Sequence, residues 1–337
     1  MPESISDYYN FDEEVISQAF LKHRPKKVLV QLPEGLKHFY PTLLEKLENI
    51  SEGLGLHNIE FHIDASPIYG SCLMDLTLTS RHDLVLHFGH KEYPYWSPPQ
   101  NVVLIDLQYK GMPTSQTIQD LVRELVEEGV KRVGIYGTAQ HDIGKIAEAF
   151  KREGIDVAND ASRAVIFGCW YSDLPSLQGA EAYIIVAGGE FHALGAGLAL
   201  GGTGKIYALD PYTNSYSFMN PYIEKILRKR YYLLMKAEDM SSFVIIAGIC
   251  GQFRPAVINR LKSLIQSKRL KYTVAEAPYV TKEALGNLDN PYVDAFIVTS
   301  CPRLPIDDLS DYHKPVLTPG EAFMVLEGSM GRYIYPW

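Results

Sequence analysis

The 337-residue sequence predicts an α/β protein built from three similar three-layer α/β domains with parallel sheets, and three observations carry that expectation. Lys26–Gly35 (KKVLVQLPEG), Lys131–Gly137 (KRVGIYG) and Ser242–Gly248 (SFVIIAG) each read as a short buried strand that runs through a turn into an amphipathic helix. Asp83–Gly89 (DLVLHFG), Glu181–Gly188 (EAYIIVAG) and Asp294–Ser300 (DAFIVTS) follow those starts at a separation of roughly fifty positions each time. Each of these second runs has an acidic residue just ahead of it. Between the two strands of every set stand a helix pattern and one more strand candidate: Glu60–Ile63, Asp156–Ala158 and Tyr272–Ala275. Strands that alternate with helices favour parallel sheets covered on both faces. Turn-rich Lys110–Thr114 (KGMPT) and Asp210–Asn220 (DPYTNSYSFMN) then mark boundaries that give domains 1–110, 111–215 and 216–337.

Composition narrows the function classes. A net charge of -8 argues against a surface built to neutralise phosphates, so no direct nucleic-acid partner is expected. The one notable basic cluster, Lys225, Arg228, Lys229 and Arg230, lies in a helical stretch, Asn220–Lys236, and reads as a solvated helix face. No apolar run approaches the length of a membrane span, and the acidic start (Asp7, Asp12, Glu13, Glu14) lacks the basic-then-apolar pattern of a leader, so a cytoplasmic protein is expected. Four scattered cysteines are too few for a disulfide scaffold and remain available as thiols for metal or catalysis.

In open parallel sheets, ligands collect outside the carboxyl ends of the strands. Three cysteines follow that rule, one in each expected domain. Cys72 comes after Pro67–Ser71 (PIYGS), Cys169 ends Ala164–Gly168 (AVIFG), and Cys301 ends Phe296–Ser300 (FIVTS). Their wide spacing excludes zinc knuckles and local ferredoxin runs, which need cysteines a few residues apart. One thiolate from each of three domains, meeting at a single centre, accounts for the spacing. Cys250, in Ala247–Gly251 (AGICG), reads as a small buried hydrophobe. Two patterns are decoys. Gly201–Lys205 (GGTGK) lacks the glycine and hydroxyl that a phosphate loop needs at Ala199 and Ile206, and His87, His90 and His192 belong to no helix-borne zinc motif.

Gln31–Leu36 (QLPEGL), Tyr69–Cys72 (YGSC), Phe167–Cys169 (FGC), Gly188–Gly195 (GGEFHALG) and Ser300–Asp307 (SCPRLPID) together resemble the archaeal diphthamide-synthesis enzymes, the 2-(3-amino-3-carboxypropyl)histidine synthase family, from about residue 10 to the end. The compact three-cysteine signature of the large radical S-adenosylmethionine superfamily is absent. The resemblance implies a [4Fe-4S] cluster on Cys72, Cys169 and Cys301, one iron open to S-adenosylmethionine, and cleavage between the sulfur and the methionine γ-carbon. It implies transfer of the resulting 3-amino-3-carboxypropyl radical to imidazole C2 of a histidine in translation elongation factor 2, with an electron donor and a homodimer as partners. Within that expectation Arg303 is the candidate donor to the amino-acid carboxylate. Gly188 and Gly189, which open the small-residue helix Ala193–Gly202, let backbone approach a ligand, and Asp210 can meet the ribose hydroxyls or cap a helix. Glu34 either reaches the same centre or caps the helix after Gly35. No general acid or base is assigned. Two alternatives stay open: a quinolinate synthase-like enzyme, also a triplicated α/β protein with a three-cysteine cluster, and a non-catalytic partner subunit.

Overall fold

The computed structural model describes residues 4–337, so the first three residues of the expected first domain lie outside it. The chain forms two compact units, Met1–Met112 with Ala139–Asp142, and Pro113–Thr138 with Ile143–Trp337. Three mixed α/β layers, each with a mostly parallel sheet, are distributed over them.

In the first unit a short antiparallel pair, β1 (Tyr9–Asn10) with β6 (Gln108–Tyr109), accompanies a four-stranded parallel sheet. That sheet contains β2 (Lys27–Gln31), β3 (Glu60–Ile63), β4 (Leu84–Phe88) and β5 (Val102–Ile105) in the order β3-β2-β4-β5. The helix Glu13–His23 starts where the Asp12 carboxylate accepts the Glu14 N–H at 2.9 Å. Ile16, Ala19 and Phe20 then recur at helical spacing and bury against Val28, Val30, Leu84 and Leu86.

The second unit holds the other two sheets. One contains β7 (Arg132–Gly137), β8 (Asp156–Val157), β9 (Ala182–Val186), β10 (Lys205–Asp210) and β11 (Ser215–Phe218), in the order β11-β10-β9-β7-β8. Only β11 is antiparallel. The other is fully parallel, with β12 (Ser242–Ala247), β13 (Lys271–Glu276), β14 (Ala295–Val298) and β15 (Val316–Leu317) in the order β13-β12-β14-β15. Numbered within its own repeat, each sheet follows the order 2-1-3-4, with β11 added as a fifth strand at the edge of the second. The strand order therefore reverses between its first and third strands, which is where such sheets bind ligands.

The acidic residue ahead of each third strand has the same structural task in all three repeats. Asp83 accepts the N–H groups of Lys26 and Lys27 at 2.8 and 2.9 Å. Glu181 accepts those of Lys131 and Arg132 at 2.6 and 3.0 Å, and Asp294 those of Ser241 and Ser242, both at 2.9 Å. One carboxylate thus satisfies two backbone donors at the start of the neighbouring first strand and fixes its register. These N–H groups hold the Asp83 and Glu181 carboxyls below the ordinary carboxylate range. A depressed folded-state pKa gives stability that is present above the unfolded value and lost as pH falls through the folded one. Asp83→Ala is therefore expected to lower the denaturation midpoint at neutral pH by an amount equivalent to about 1 kcal/mol. That gap from the parent narrows as the titration is repeated at pH values falling below the ordinary carboxylate range.

The basic cluster needs correction at one position. On the helix Asn220–Ala237, Lys225, Arg228 and Lys229 are exposed, but Arg230 is buried on the same face as Ile223, Leu227 and Leu234. Its charge is matched by Glu321, which is also fully buried. Among the described residues, no helix is long and apolar enough to cross a membrane.

Candidate functional site

All four cysteines are half-buried thiols with no disulfide. Cys72 lies between the second and third strands of the first repeat, and Cys169 holds the equivalent place in the second. Cys301 follows β14, the third strand of the third repeat, as its apolar run predicted. The run before Cys169 does not form the expected strand. Val165 makes a single parallel bridge to Gly137, and Phe167 and Trp170 then close a tight turn around the cysteine. Gly168 gives the turn its room, since a Cβ there would stand 2.8 Å from the Phe191 ring.

The Cys72 loop is fastened by polar groups from the strand ends around it. Asp64 accepts the Ser66 N–H at 2.8 Å, Glu34 accepts the Ile68 N–H at 3.1 Å, and the Ser71 hydroxyl donates to the Lys91 carbonyl at 2.6 Å. Glu34 neither caps the following helix nor stands free. Lys37, 2.7 Å away, holds its carboxyl below the ordinary range, and the Ile68 amide adds to that effect.

Cys169 and Cys301 act on the same two tyrosines. The Tyr171 hydroxyl donates to the Gly168 carbonyl at 3.0 Å, and its ring lies 6.2 Å from that of Tyr335. Burial pushes the Tyr171 phenol up, and negative charge on Cys169, then on Cys301, pushes it further. Tyr335 is raised in the same way by burial, by Tyr171 and by both cysteines. Both buried phenols donate to the Gly168 carbonyl of the Cys169 loop, and negative charge on Cys301, in the same compact unit, reaches them too. Sequence reasoning missed both tyrosines; the aromatic ending Tyr333–Trp337 (YIYPW) was the available signal.

The expected ligand-binding residues are already engaged. Asp210 caps its own turn, accepting from Tyr212 N–H at 2.8 Å, and its second oxygen accepts from Gly189 N–H at 3.0 Å. A Cβ at Gly188 would meet the Tyr212 ring at 3.2 Å. The small-residue helix spans Phe191–Ala199, and its glycines serve packing: a Cβ at Gly195 would collide with the Tyr171 hydroxyl. Arg303 pairs with Asp307 at 3.2 Å while its guanidinium lies 4.5 Å above the Phe191 ring. Lys205, from the phosphate-loop decoy, pairs with Glu128 at 2.8 Å.

Among the described residues, no group of three His, Cys, Asp or Glu side chains stands close enough to hold a single metal ion. An iron-sulfur cluster makes a different demand, because its thiolates are spread around a larger body, and its sulfur atoms accept hydrogen bonds. The Cys72, Cys169 and Cys301 thiols of this chain lie half-buried in loops, and the Ser300 hydroxyl beside Cys301 is buried with no hydrogen-bond partner. A buried hydroxyl without a partner costs stability unless a bound group satisfies it.

Comparison with known proteins agrees with this reading. Residues 32–335 match the family model for diphthamide synthesis protein. A 2-(3-amino-3-carboxypropyl)histidine synthase of Pyrococcus horikoshii is 30% identical over 89% of this chain and 86% of its own length. Subunit 1 of the corresponding synthase of Nematostella vectensis is 26% identical over 100% of this chain and 71% of its own. The crystal structure of Dph2 from Pyrococcus horikoshii with a 4Fe-4S cluster superposes with a TM-score of 0.77 at 26% identity, covering 96% of this chain and 92% of that one. With its triplicated strand order, one cysteine-bearing loop in each repeat and a match that spans nearly its whole length, this chain belongs to the diphthamide synthesis protein family.

Proposed function

We propose that the chain transfers the 3-amino-3-carboxypropyl group of S-adenosylmethionine to imidazole C2 of a histidine in translation elongation factor 2, the first step of diphthamide biosynthesis, with Cys72, Cys169 and Cys301 holding one [4Fe-4S] cluster. The observation that carries this reading is the Cys169 loop, whose Gly168 carbonyl receives two buried phenols, in the same compact unit as the Ser300 hydroxyl that lacks a protein partner beside Cys301. When bound, the cluster supplies the electron that breaks the bond between the sulfonium sulfur and the methionine γ-carbon.

The chain's own residues bind and orient. Tyr171 and Tyr335 keep water from the Cys169 and Cys301 side, and Ser300 offers its hydroxyl to sulfur there. Arg303 forks onto the amino-acid carboxylate by exchanging Asp307 for it, an exchange made easy because that pair is half-exposed and therefore weak. Asp210 and the Gly188–Gly189 turn, already joined by one hydrogen bond, form the wall offered to the ribose. A reductant supplies the electron, two copies of the chain make the working assembly, and the reaction takes place in the cytoplasm, where elongation factors act. The product needs neither nucleic acid nor membrane as a partner.

Anaerobic reconstitution with iron and sulfide, then dithionite and S-adenosylmethionine, tests this reading through the nucleoside formed. Methylthioadenosine, absent from a Cys169→Ala preparation, is the expected product. 5'-Deoxyadenosine, or a pyridine dicarboxylate from quinolinate-type precursors, would replace the reading.

A further inference from the structure

The switch point of the first sheet, between β2 and β4, is filled by a chain of buried polar side chains that the reading above leaves without a task. Gln31 and His87 are register partners at the ends of the two strands. The Gln31 amide nitrogen donates to Asp64 at 2.9 Å, and the Gln31 oxygen stands 2.8 Å from His87 Nδ1. His87 Nε2 stands 3.0 Å from His90 Nδ1. Asp64, Gln31 and His87 are almost completely inaccessible, whereas His90 is half-buried.

The polarity of this chain follows from its fixed end. A carboxylate only accepts, so Gln31 must turn its NH₂ toward Asp64 and its oxygen toward His87. His87 must then carry its proton on Nδ1, which leaves its Nε2 bare to accept from His90 Nδ1–H. His90 is left with an unprotonated Nε2, for which no hydrogen bond to the protein exists among the described residues. Burial holds both rings neutral, with His87 lowered to about 3 and His90 to about 4. The loop carrying His90 is tied to the Cys72 loop, because Lys91 receives the Ser71 hydroxyl.

The proposed reaction needs such a group. Its balance is S-adenosylmethionine plus histidine giving methylthioadenosine, the C2-substituted histidine and one proton. The new bond joins the γ-carbon to C2, and the bonds lost are sulfur to γ-carbon and C2 to hydrogen. The sulfonium sulfur would leave with a pair completed by the one electron lent to it, and the ring adduct, on losing the C2 proton, would return one electron to the cluster, so no external oxidant enters the sum. Return of aromaticity drives the proton out strongly, so an acceptor kept free of solvent protons suits the step better than a strong base.

We infer that His90 Nε2 accepts the C2 proton of the target histidine, and that Asp64, Gln31 and His87 are positioning residues that fix its tautomer. The inference rests on the functional reading above. His90→Asn in the reconstituted enzyme is expected to form methylthioadenosine within about twofold of the parent while modification of the acceptor protein falls about a hundredfold. Deuterium at C2 of the target is expected to slow that variant and not the parent. In the full chain, ¹⁵N NMR should show the Nδ1–H tautomer at His90, lost in Gln31→Leu. Parallel loss of methylthioadenosine and transfer in His90→Asn, unchanged transfer, or an Nε2–H tautomer at His90 in the parent would each overturn the assignment. A parent that makes no methylthioadenosine would instead overturn the functional reading, and the tautomer result separates the two failures.

Discussion

Alanine at Cys72, Cys169 or Cys301 is expected to abolish the broad visible absorbance of the reconstituted protein, to leave it well short of the ~4 irons per chain of a [4Fe-4S] cluster, and to reduce methylthioadenosine formation to background. Cys250→Ala is expected to change none of these. The four thiols are alike in exposure, so the prediction rests on their places in the fold. Cys250 opens a 3-10 turn after β12 with φ of 51°, and its carbonyl receives the Phe253 N–H at 3.1 Å, which is a turn-forming task. Cys169 instead sits in the loop whose Gly168 carbonyl receives Tyr171 and Tyr335, Cys301 raises the same two phenols, and Cys72 sits in a loop pinned by three polar contacts. Folding of each variant can be checked by circular dichroism before iron is added. A Cys250→Ala protein that failed to take up iron would remove the assignment of ligands.

Arg230→Ala is expected to be the most destabilising change away from the cysteines, at about 3 to 5 kcal/mol. The guanidinium donates to both carboxylate oxygens of Glu321 at 2.6 Å and to the carbonyls of Pro305 and Val316 at 2.8 and 2.7 Å. Glu321 also accepts from the Tyr333 hydroxyl at 2.6 Å and from the Thr318 N–H at 2.8 Å. The network joins the helix Asn220–Ala237 to the helix Pro319–Glu327 and the C-terminal segment. Removing the arginine leaves a fully buried carboxylate without its countercharge. Arg230→Met with Glu321→Leu removes both charges together and is expected to cost much less than the single change. Melting curves should place Arg230→Ala on the order of ten degrees below the parent. A loss as small as that of Arg228→Ala would show that the buried pair contributes little.

The sequence made the repeat legible because its punctuation is chemical. An acid ahead of an apolar run is a weak signal once, but it recurs at Asp83, Glu181 and Asp294, and each turns out to hold two strand-opening amides. The fourth strands of the first and third repeats were not legible. β15 has two residues, and β5 is bounded by no pattern that separates it from a loop. Cys169 was placed correctly after an apolar run, but that run is a single bridge, since Gly137 offers Val165 only one register position. Arg230 was misread from charge alone, although its spacing from Ile223, Leu227 and Leu234 put it on the apolar stripe. His87 and His90 belong to no helix-borne zinc motif in the sequence. What they form instead depends on Gln31 and Asp64, distant in sequence and adjacent only once three strands pair.

The chemistry itself is tested most directly on the acceptor. Reconstituted, reduced enzyme incubated with S-adenosylmethionine and elongation factor 2 should give one histidine carrying a 3-amino-3-carboxypropyl group on C2, found by mass spectrometry of its peptide, and an equal amount of methylthioadenosine. An elongation factor left unmodified by an enzyme that holds its full cluster and consumes S-adenosylmethionine would contradict the account.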